Sequence, residues 1–327
     1  MNVAVLGSGS WATALAKIVM HNVAEINWYI RKQETIDEFR EIRRNPNHLE
    51  WAYFDISRIN FSADINQVLS EAELAILAVP SPYVKDVLAE ITVDMSQKKV
   101  ISAVKGMIPG DNILVTDYLH EHFHIPENNL GMITGPCHAE EIALERLSYL
   151  TIGCKDTANA REWQKLFDTP YVRTTPSEDM KGLEYASVMK NIYAIAAGMC
   201  TSLRYGDNFQ AVLLTNAMHE IVRFTKAVSD VPRDITDSGY LGDVLVTAYS
   251  NFSRNRQFGQ MIGMGYSVKA AQTEMEMVAE GYYGTKCIKE INRKYHVNMP
   301  IVDAVYNILY ERISPVIEIK LLTDSIR

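Results

Sequence analysis

Residues 2–22 of this 327-residue chain, NVAVLGSGSWATALAKIVMHN, contain the pattern that best indicates its fold class. Its apolar start ends at Gly7, a glycine turn and an amphipathic segment follow, and INWYI at residues 26–30 repeats the strand pattern. Gly7, Gly9 and Ala12 occupy the three positions of a G-x-G-x-x-G/A fingerprint, whose last position allows close packing of helix against strand. The order strand, glycine turn, helix, strand predicts a dinucleotide site with the pyrophosphate at the helix N-terminus.

The residues after the second predicted strand bear on the choice between NAD and NADP. An acidic side chain there would bind the ribose 2′-hydroxyl, whereas this sequence has Arg31 and Lys32. A cation suits the 2′-phosphate of NADP, so the pair slightly favours NADP. Glu34 and Asp37 follow closely and keep NAD open, and two solvated charges at a strand end are the structural alternative.

Three later apolar runs, at residues 73–81, 99–106 and 130–135, end at small, proline or charged residues. Ligands of doubly wound sheets bind at the carboxyl ends of the strands, which makes Lys105 a candidate ligand contact. An isolated lysine at a strand end is equally compatible with a surface charge.

A turn-rich stretch at residues 174–177 separates two kinds of pattern, and long helical segments begin near Lys181. The predicted fold class is α/β. Residues 1–178 would form a Rossmann-type doubly wound sheet, and residues 179–327 an all-α domain.

The composition limits the classes of function. Hydrophobic residues make up 47% of the chain and the formal net charge is −8, which argues against a nucleic-acid partner. No signal-peptide pattern or apolar run of about 20 residues is evident, so we expect a cytoplasmic protein without a transmembrane segment. The cysteines are isolated and no carboxylate cluster accompanies His120, His122 and His124, so no metal site is expected.

The stretch YASVMKNIYAIAAG, residues 185–198, predicts a buried helix that contains a lysine. Small residues surround Lys190 on its own face, namely Ala186, Ser187, Ala194 and Ala197. Burial lowers the pKa of a lysine, which suits proton transfer, whereas a snorkelling lysine would reach the surface. The helix alone leaves both interpretations open.

The stretch GYLGDVLVTAYSNFSRNRQFG, residues 239–259, supplies candidate partners for Lys190. If one helix continues from Asp243, four polar side chains fall within about 60° on one face, namely Asp243, Thr247, Ser250 and Arg254. Asp243 would then hold the Lys190 ammonium. Arg254 and Asn255 would bind a phosphate as a fork, although a solvated polar face is the structural alternative.

Together these motifs resemble the bacterial-type NAD(P)-dependent glycerol-3-phosphate dehydrogenases over residues 3–310. The resemblance also rests on GPCHAEE at 135–141, SRNRQFG at 253–259, VAEGYYGTK at 278–286 and MPIVDAVYNILYE at 299–311. It implies a Rossmann domain and a helical domain with the active site in the cleft. It further implies reversible reduction of dihydroxyacetone phosphate to sn-glycerol 3-phosphate, which feeds phospholipid biosynthesis, and a homodimer.

The resemblance also implies roles for individual residues. The catalytic positions are Lys190, Lys105 and Asp243, with Lys190 donating a proton to the carbonyl oxygen. The substrate positions are Lys105, Gly135, Cys137, Asn191, Thr247, Ser253, Arg254 and Asn255. The cofactor positions are Gly7, Gly9, Ser10, Trp11, Ala12, Arg31, Lys105, Ala139, Arg254, Val278 and Glu280.

The chain departs from the family pattern at four places. The family's GLGDL motif reads GYLGDV at residues 239–244, with one extra residue or a shifted first glycine. Ala12 replaces the usual glycine, Asn216-Ala217 replaces the last two residues of a TRG segment, and Cys137 replaces a serine or threonine. Because a thiol is a poor donor, the departure at Cys137 puts a substrate contact there in doubt. Two alternatives stay open, a related Rossmann hydroxyacid or sugar-acid dehydrogenase, and a dinucleotide-binding sensor without turnover.

Overall fold

The computed structural model describes residues 1–275 and 277–327, which form two compact units. The first unit comprises Met1–Val104 and Val115–Met180, and the second comprises Lys105–Leu114 and Lys181–Arg327. The second unit thus includes residues 105–114, the exchanged segment, which interrupts the first unit in sequence. The single boundary predicted after residue 178 does not account for this segment.

The strands and helices follow one another in an alternating pattern and then in a helical one. The strands are β1 (Val3–Leu6), β2 (Ile26–Tyr29), β3 (Ile59–Ser62), β4 (Leu74–Leu77), β5 (Lys99–Ser102), β6 (Met107–Ile108), β7 (Ile113–Leu114), β8 (Leu130–Thr134), β9 (Ser148–Cys154) and β10 (Val172–Ser177). The helices of the first unit are α1 (Ser10–Asn22), α2 (Gln33–Ile42), α3 (Ile65–Ser70), α4 (Ser81–Ala89), α5 (Val115–Phe123), α6 (Ala139–Ala143) and α7 (Thr157–Phe167). Those that follow are α8 (Met180–Ser202), α9 (Gly206–Val228), α10 (Asp243–Tyr249), α11 (Arg254–Gly263), α12 (Val268–Glu274), α13 (Glu280–Tyr295), α14 (Pro300–Leu309) and α15 (Pro315–Ser325).

The first unit is built on an eight-stranded sheet in the order β10-β9-β8-β5-β4-β1-β2-β3. Neighbouring strands are parallel except for β8 and β9, which pair antiparallel. Every residue of β1, β2 and β4 is buried, as expected of parallel strands covered by helices on both faces. The order β3-β2-β1-β4-β5 is that of a doubly wound dinucleotide-binding sheet, so the predicted fold class is confirmed.

An aromatic cluster fills the core beside β2. The Trp28 ring is buried, and its centroid lies 5.3 Å from that of Phe39, 5.5 Å from that of Phe54 and 5.7 Å from that of Phe61. Edge-to-face and stacked contacts at these separations stabilise a core beyond the area that they bury. The cluster therefore anchors the strand that precedes Arg31.

Among its described residues, the regular structure of the second unit is helical apart from the hairpin of β6 and β7. Every residue of α8 from 186 to 200 is buried. Two helices approach α8 at glycines, since a Cβ added at Gly259 would lie 2.1 Å from the Ile195 carbonyl oxygen, and one at Gly281 would lie 2.7 Å from that of Asn191. The predicted buried helix around Lys190 is confirmed. None of the helices within residues 1–275 and 277–327 has the length and apolar character that crossing a membrane requires.

The prediction of one continuous helix from Asp243 to Arg254 is wrong. Helix α10 ends at Tyr249, and α11 begins at Arg254. Ser253 starts the second helix because its hydroxyl accepts a hydrogen bond from the Arg256 N–H at 3.3 Å. Serine and asparagine side chains compete with helical backbone bonds, which explains the break in the intervening polar residues.

Candidate functional site

The turn after β1 has a conformation that requires glycine. Gly7 has φ +124°, and a Cβ there would lie 2.5 Å from the carbonyl oxygen of Ala78, which follows β4. At Gly9, in contrast, an added Cβ would meet no atom within 4 Å. The first glycine thus serves the fold of the turn, while the second leaves open space beside the start of α1.

Two residues absent from the predicted site brace this turn. The Trp28 indole N–H donates to the Gly7 carbonyl oxygen at 2.7 Å. The Asn45 amide donates at 2.8 Å both to the Ser8 carbonyl oxygen and to the Thr13 hydroxyl. The N–H of a buried tryptophan usually has a hydrogen-bond partner, so a tryptophan within the apolar run INWYI is a sequence signal for Trp28. Asn45 has no comparable signal, because its partners lie more than thirty residues away.

The N-terminus of α1 fits a dinucleotide pyrophosphate. No side chain caps it, and its first turn contains no acidic residue. Its N–H groups and the positive end of the helix dipole therefore suit an anion. Ala12 is fully buried, in keeping with close helix–strand packing. The Ser10 hydroxyl lies 3.3 Å from Nδ1 of His48.

Charged residues follow β2 in the arrangement that the sequence predicted. Arg31 and Lys32 are both exposed, and Lys32 is the N-cap of α2. Glu34 lies in the first turn of that helix. Arg31 and Lys32 thus lie where a protein would recognise the 2′-phosphate of NADP, and Glu34 lies close to where it would recognise the 2′-hydroxyl of NAD.

The loop after β8 also needs a glycine. Gly135 has φ +124°, and a Cβ there would lie 2.6 Å from the Tyr149 carbonyl oxygen. Cys137 is buried, and its thiol donates to the Gly135 carbonyl oxygen at 3.1 Å. Ala139, a predicted cofactor position, begins α6. The thiol thus contributes to the shape of the loop that contains it.

The second unit buries an ion pair on α8. The Lys190 ammonium donates to the Asp243 carboxylate, and the two residues are only 3% and 2% exposed. The Thr247 hydroxyl donates to the Asp243 carbonyl oxygen at 2.6 Å. The predicted partnership of Asp243 with Lys190 is therefore present, and the snorkelling alternative is wrong.

An unusual local structure, a π-helical turn, directly precedes Asp243. The preceding residues, Ser238–Gly242, form a π-helical turn that leads directly into α10. Such turns are rare and frequently occur at functional sites.

A second polar contact joins α8 to the exchanged segment. The Asn191 amide donates to the Lys105 carbonyl oxygen at 2.8 Å. Lys105 is the first residue of that segment, and Asn191 is buried. Two residues predicted to serve the substrate are thus in direct contact with each other.

The N-terminus of α11 holds the remaining predicted substrate residues of this unit. Asn255 is buried, and its side-chain oxygen accepts from the Gly281 N–H at 2.8 Å. Arg254 is the first residue of α11, and its Nε donates to the Met277 sulfur at 3.3 Å. Ser253 is the N-cap of α11. Two predicted cofactor positions follow Met277 in the sequence, Val278 before α13 and Glu280 at its start. A cation at a helix N-terminus suits a phosphate.

Ser250, which was expected on the face of Asp243, instead ends α10 as its C-cap. His120 and His122 lie in α5. The described part of the chain contains no group of three or more histidine, cysteine or acidic side chains placed to hold a metal ion.

These features define a Rossmann-type dinucleotide-binding protein with a helical unit that buries a lysine–aspartate pair. Residues 2–160 match the family model of the NAD-dependent glycerol-3-phosphate dehydrogenase N-terminus, and residues 179–320 match that of its C-terminus. The chain belongs to this family.

Individual relatives agree. Over 315 residues the chain is 32% identical to glycerol-3-phosphate dehydrogenase (NAD(P)+) of Staphylococcus aureus strain JH9, covering 95% of this chain and 94% of the relative. The glycerol-3-phosphate dehydrogenase structure from Coxiella burnetii has a TM-score of 0.90 at 25% identity and 98% coverage of both chains. The Plasmodium falciparum structure has a TM-score of 0.85 at 25% identity, covering 98% of this chain and 94% of that one.

Proposed function

We propose that this protein is an NAD(P)-dependent sn-glycerol-3-phosphate dehydrogenase that reversibly reduces dihydroxyacetone phosphate. The observation that carries the proposal is the buried ion pair of Lys190 and Asp243 in a chain of this family. An ammonium held in a nearly water-free environment interacts strongly with a developing negative charge. The reduction of a ketone generates such a charge on the carbonyl oxygen.

When bound, the reduced cofactor supplies the hydride that the carbonyl carbon accepts. Lys190 stabilises the growing negative charge on the oxygen and transfers a proton to it, which completes the alcohol. Asp243 holds the ammonium in place, and Thr247 fixes the main chain at Asp243. Lys190 then regains its proton from water before the next turnover.

The remaining assignments follow the chemistry of the side chains. Arg254 and Asn255 bind the substrate phosphate at the start of α11, with help from Ser253. Lys105 serves both substrate and cofactor, and Gly135 and Cys137 form a loop at the substrate. The other proposed cofactor contacts are Gly7, Gly9, Ser10, Trp11, Ala12, Arg31, Ala139, Val278 and Glu280.

The cellular assignments are part of the same proposal. The protein acts in the cytoplasm as a homodimer and supplies glycerol 3-phosphate for phospholipid synthesis. Residues 1–178 form the dinucleotide-binding domain and residues 179–327 the helical domain of substrate binding and catalysis, although each domain also contributes some of the contacts named above to the other ligand. Arg31 and Lys32, which lie between β2 and α2, support a modest preference for NADP over NAD.

One assay tests the central claim. Purified protein is mixed with dihydroxyacetone phosphate and either NADH or NADPH, and the loss of reduced-cofactor absorbance is followed. We expect turnover with dihydroxyacetone phosphate and a higher kcat/KM with NADPH. Turnover of simple 2-keto acids in its place would support a hydroxyacid dehydrogenase, and cofactor binding without any turnover would support a sensor.

A further inference from the structure

The main chain at Lys105 is tied to α8 by one side chain. The hydrogen bond from Asn191 Nδ2 to the Lys105 carbonyl oxygen measures 2.8 Å and spans 86 residues of sequence. Asn191 is only 5% exposed, and it directly follows Lys190 on the helix. The bond therefore connects the turn of α8 that contains Lys190, the proposed proton donor, with the main chain of a second lysine, Lys105.

The segment that begins at Lys105 belongs to the second unit, although the chain on both sides of it belongs to the first. It forms a short hairpin in which Met107 pairs with Leu114 and Ile108 with Ile113. Met107 and Ile108 are fully buried. Apolar packing thus holds the hairpin strands, and the amide of Asn191 adds a polar link where the hairpin begins.

The backbone of Asn191 is itself confined. A Cβ added to Gly281 would lie 2.7 Å from the Asn191 carbonyl oxygen, so α13 packs directly against this turn of α8. The Gly281 N–H is held by Asn255. The amide of Asn191 consequently projects from a rigid base, and a rigid donor orients the carbonyl that accepts from it.

We propose that Asn191 is a positioning residue, whose amide fixes the main chain at Lys105 and thereby places the Lys105 side chain for the reaction. The inference rests on the function proposed above. It replaces the direct substrate contact that family resemblance implies for Asn191. A lysine side chain is long and flexible, so anchoring its main chain restricts the volume that its ammonium can reach. A displacement of about 1 Å in such a group can lower a rate by about a hundredfold.

The first test is a double-mutant cycle with Asn191→Asp, which preserves volume but removes the donor, and Lys105→Ala. We expect Asn191→Asp alone to lower kcat/KM for dihydroxyacetone phosphate by about ten- to a hundredfold. In the Lys105→Ala background the same change should alter kcat/KM by less than about twofold, because the group that Asn191 positions is already gone. Full additivity of the two effects would overturn the proposal in favour of direct contact with the substrate.

The second test does not depend on turnover. Hydrogen–deuterium exchange of residues 105–114 should become about five- to tenfold faster in Asn191→Asp, since an opening that broke this bond now costs less free energy. Unchanged exchange would overturn the proposal. If the wild type does not reduce dihydroxyacetone phosphate while exchange still rises in Asn191→Asp, the proposed function has failed and the positioning contact stands.

Gln210 provides the matched control. Its buried amide also donates to a main-chain carbonyl, that of Ala197 on the same helix, at 2.8 Å. Gln210→Ala should lower thermal stability yet leave kcat/KM within about twofold and exchange of residues 105–114 unchanged. If this variant reproduced both effects of Asn191→Asp, the contact at Lys105 would have no special role. Asn191→Ala serves as a second donor-free variant should the aspartate fail to fold.

Discussion

The Lys190 ammonium on α8 is paired with the Asp243 carboxylate at the start of α10, and both side chains are almost completely buried. Removing two charges from water costs several kcal/mol per ion, on the order of what their attraction returns. Such a pair adds little to stability, yet its geometry is tightly defined. It is therefore better understood as a feature of the chemistry than of the fold.

Lys190→Ala should lower kcat by at least about a hundredfold while reduced-cofactor binding is retained, because only the proton donor is lost. The variant also leaves Asp243 without its counter-charge, at a cost of about 3–5 kcal/mol in the free energy of unfolding. Steady-state kinetics, cofactor fluorescence titration and thermal unfolding measure these effects separately.

The double variant Lys190→Ala/Asp243→Asn is the control for that loss of stability. It removes the uncompensated charge and should recover most of the unfolding free energy without recovering turnover. Near-normal turnover in Lys190→Ala would exclude the assigned role.

Arg254→Ala should raise KM for dihydroxyacetone phosphate by about ten- to a hundredfold, since hydrogen bonds to a charged group contribute about 1.5–3 kcal/mol. Arg254→Lys should recover only part of this, because an ammonium lacks the fork geometry. The comparison substrate is dihydroxyacetone, which has no phosphate and should be reduced equally well by the wild type and Arg254→Ala. An unchanged KM for the phosphorylated substrate would place phosphate recognition elsewhere.

Gly7→Ala and Gly9→Ala should separate folding from cofactor binding. A methyl group at Gly7 would lie 2.5 Å from a carbonyl oxygen in a left-handed backbone, so the protein should lose about 1–3 kcal/mol of stability. A methyl at Gly9 meets open space and an extended backbone, so stability should be retained. Reduced-cofactor affinity should nevertheless fall at least about tenfold, because the backbone must approach the pyrophosphate closely. Unchanged affinity in Gly9→Ala would contradict the assigned site.

Glu220 should make stability depend on pH. Its carboxylate is buried, and it accepts from the Ile301 N–H at 2.6 Å and the Tyr193 hydroxyl at 3.2 Å. Burial raises the pKa of Glu220 from 4.5 to about 8, although these donors oppose the shift. Between these two pH values, the Glu220 carboxyl therefore keeps its proton in the folded state but has lost it in the unfolded chain. The resulting stabilisation is complete below about pH 4.5 and is lost as the pH rises towards about 8.

The measurement is the unfolding free energy in urea at several pH values, for the wild type and Glu220→Gln. The wild type should lose stability relative to the variant by up to about 1.4 kcal/mol per pH unit across this range. Parallel pH profiles for the two proteins would show that Glu220 does not titrate there.

Local patterns predicted much of this protein because their causes are local. A glycine turn between an apolar strand and an amphipathic helix permits few other folds, and the sheet order confirms that prediction. The helix around Lys190 was predicted from apolar spacing alone. The prediction that Asp243, Ser250 and Arg254 share one helix face is wrong. Angular periodicity assumes a continuous helix, whereas Ser253 caps the start of a new one.

Sequence patterns alone predict the α/β class, the glycine turn and the pairing of Lys190 with Asp243. Three features are visible only in the folded chain: Asn45 braces the turn, residues 105–114 join the helical unit, and Asn191 donates to the Lys105 carbonyl oxygen. The physical reason is that these are single hydrogen bonds and apolar contacts between distant segments. Their partners are selected by packing of the whole chain, which leaves no periodic or spacing signal in the sequence.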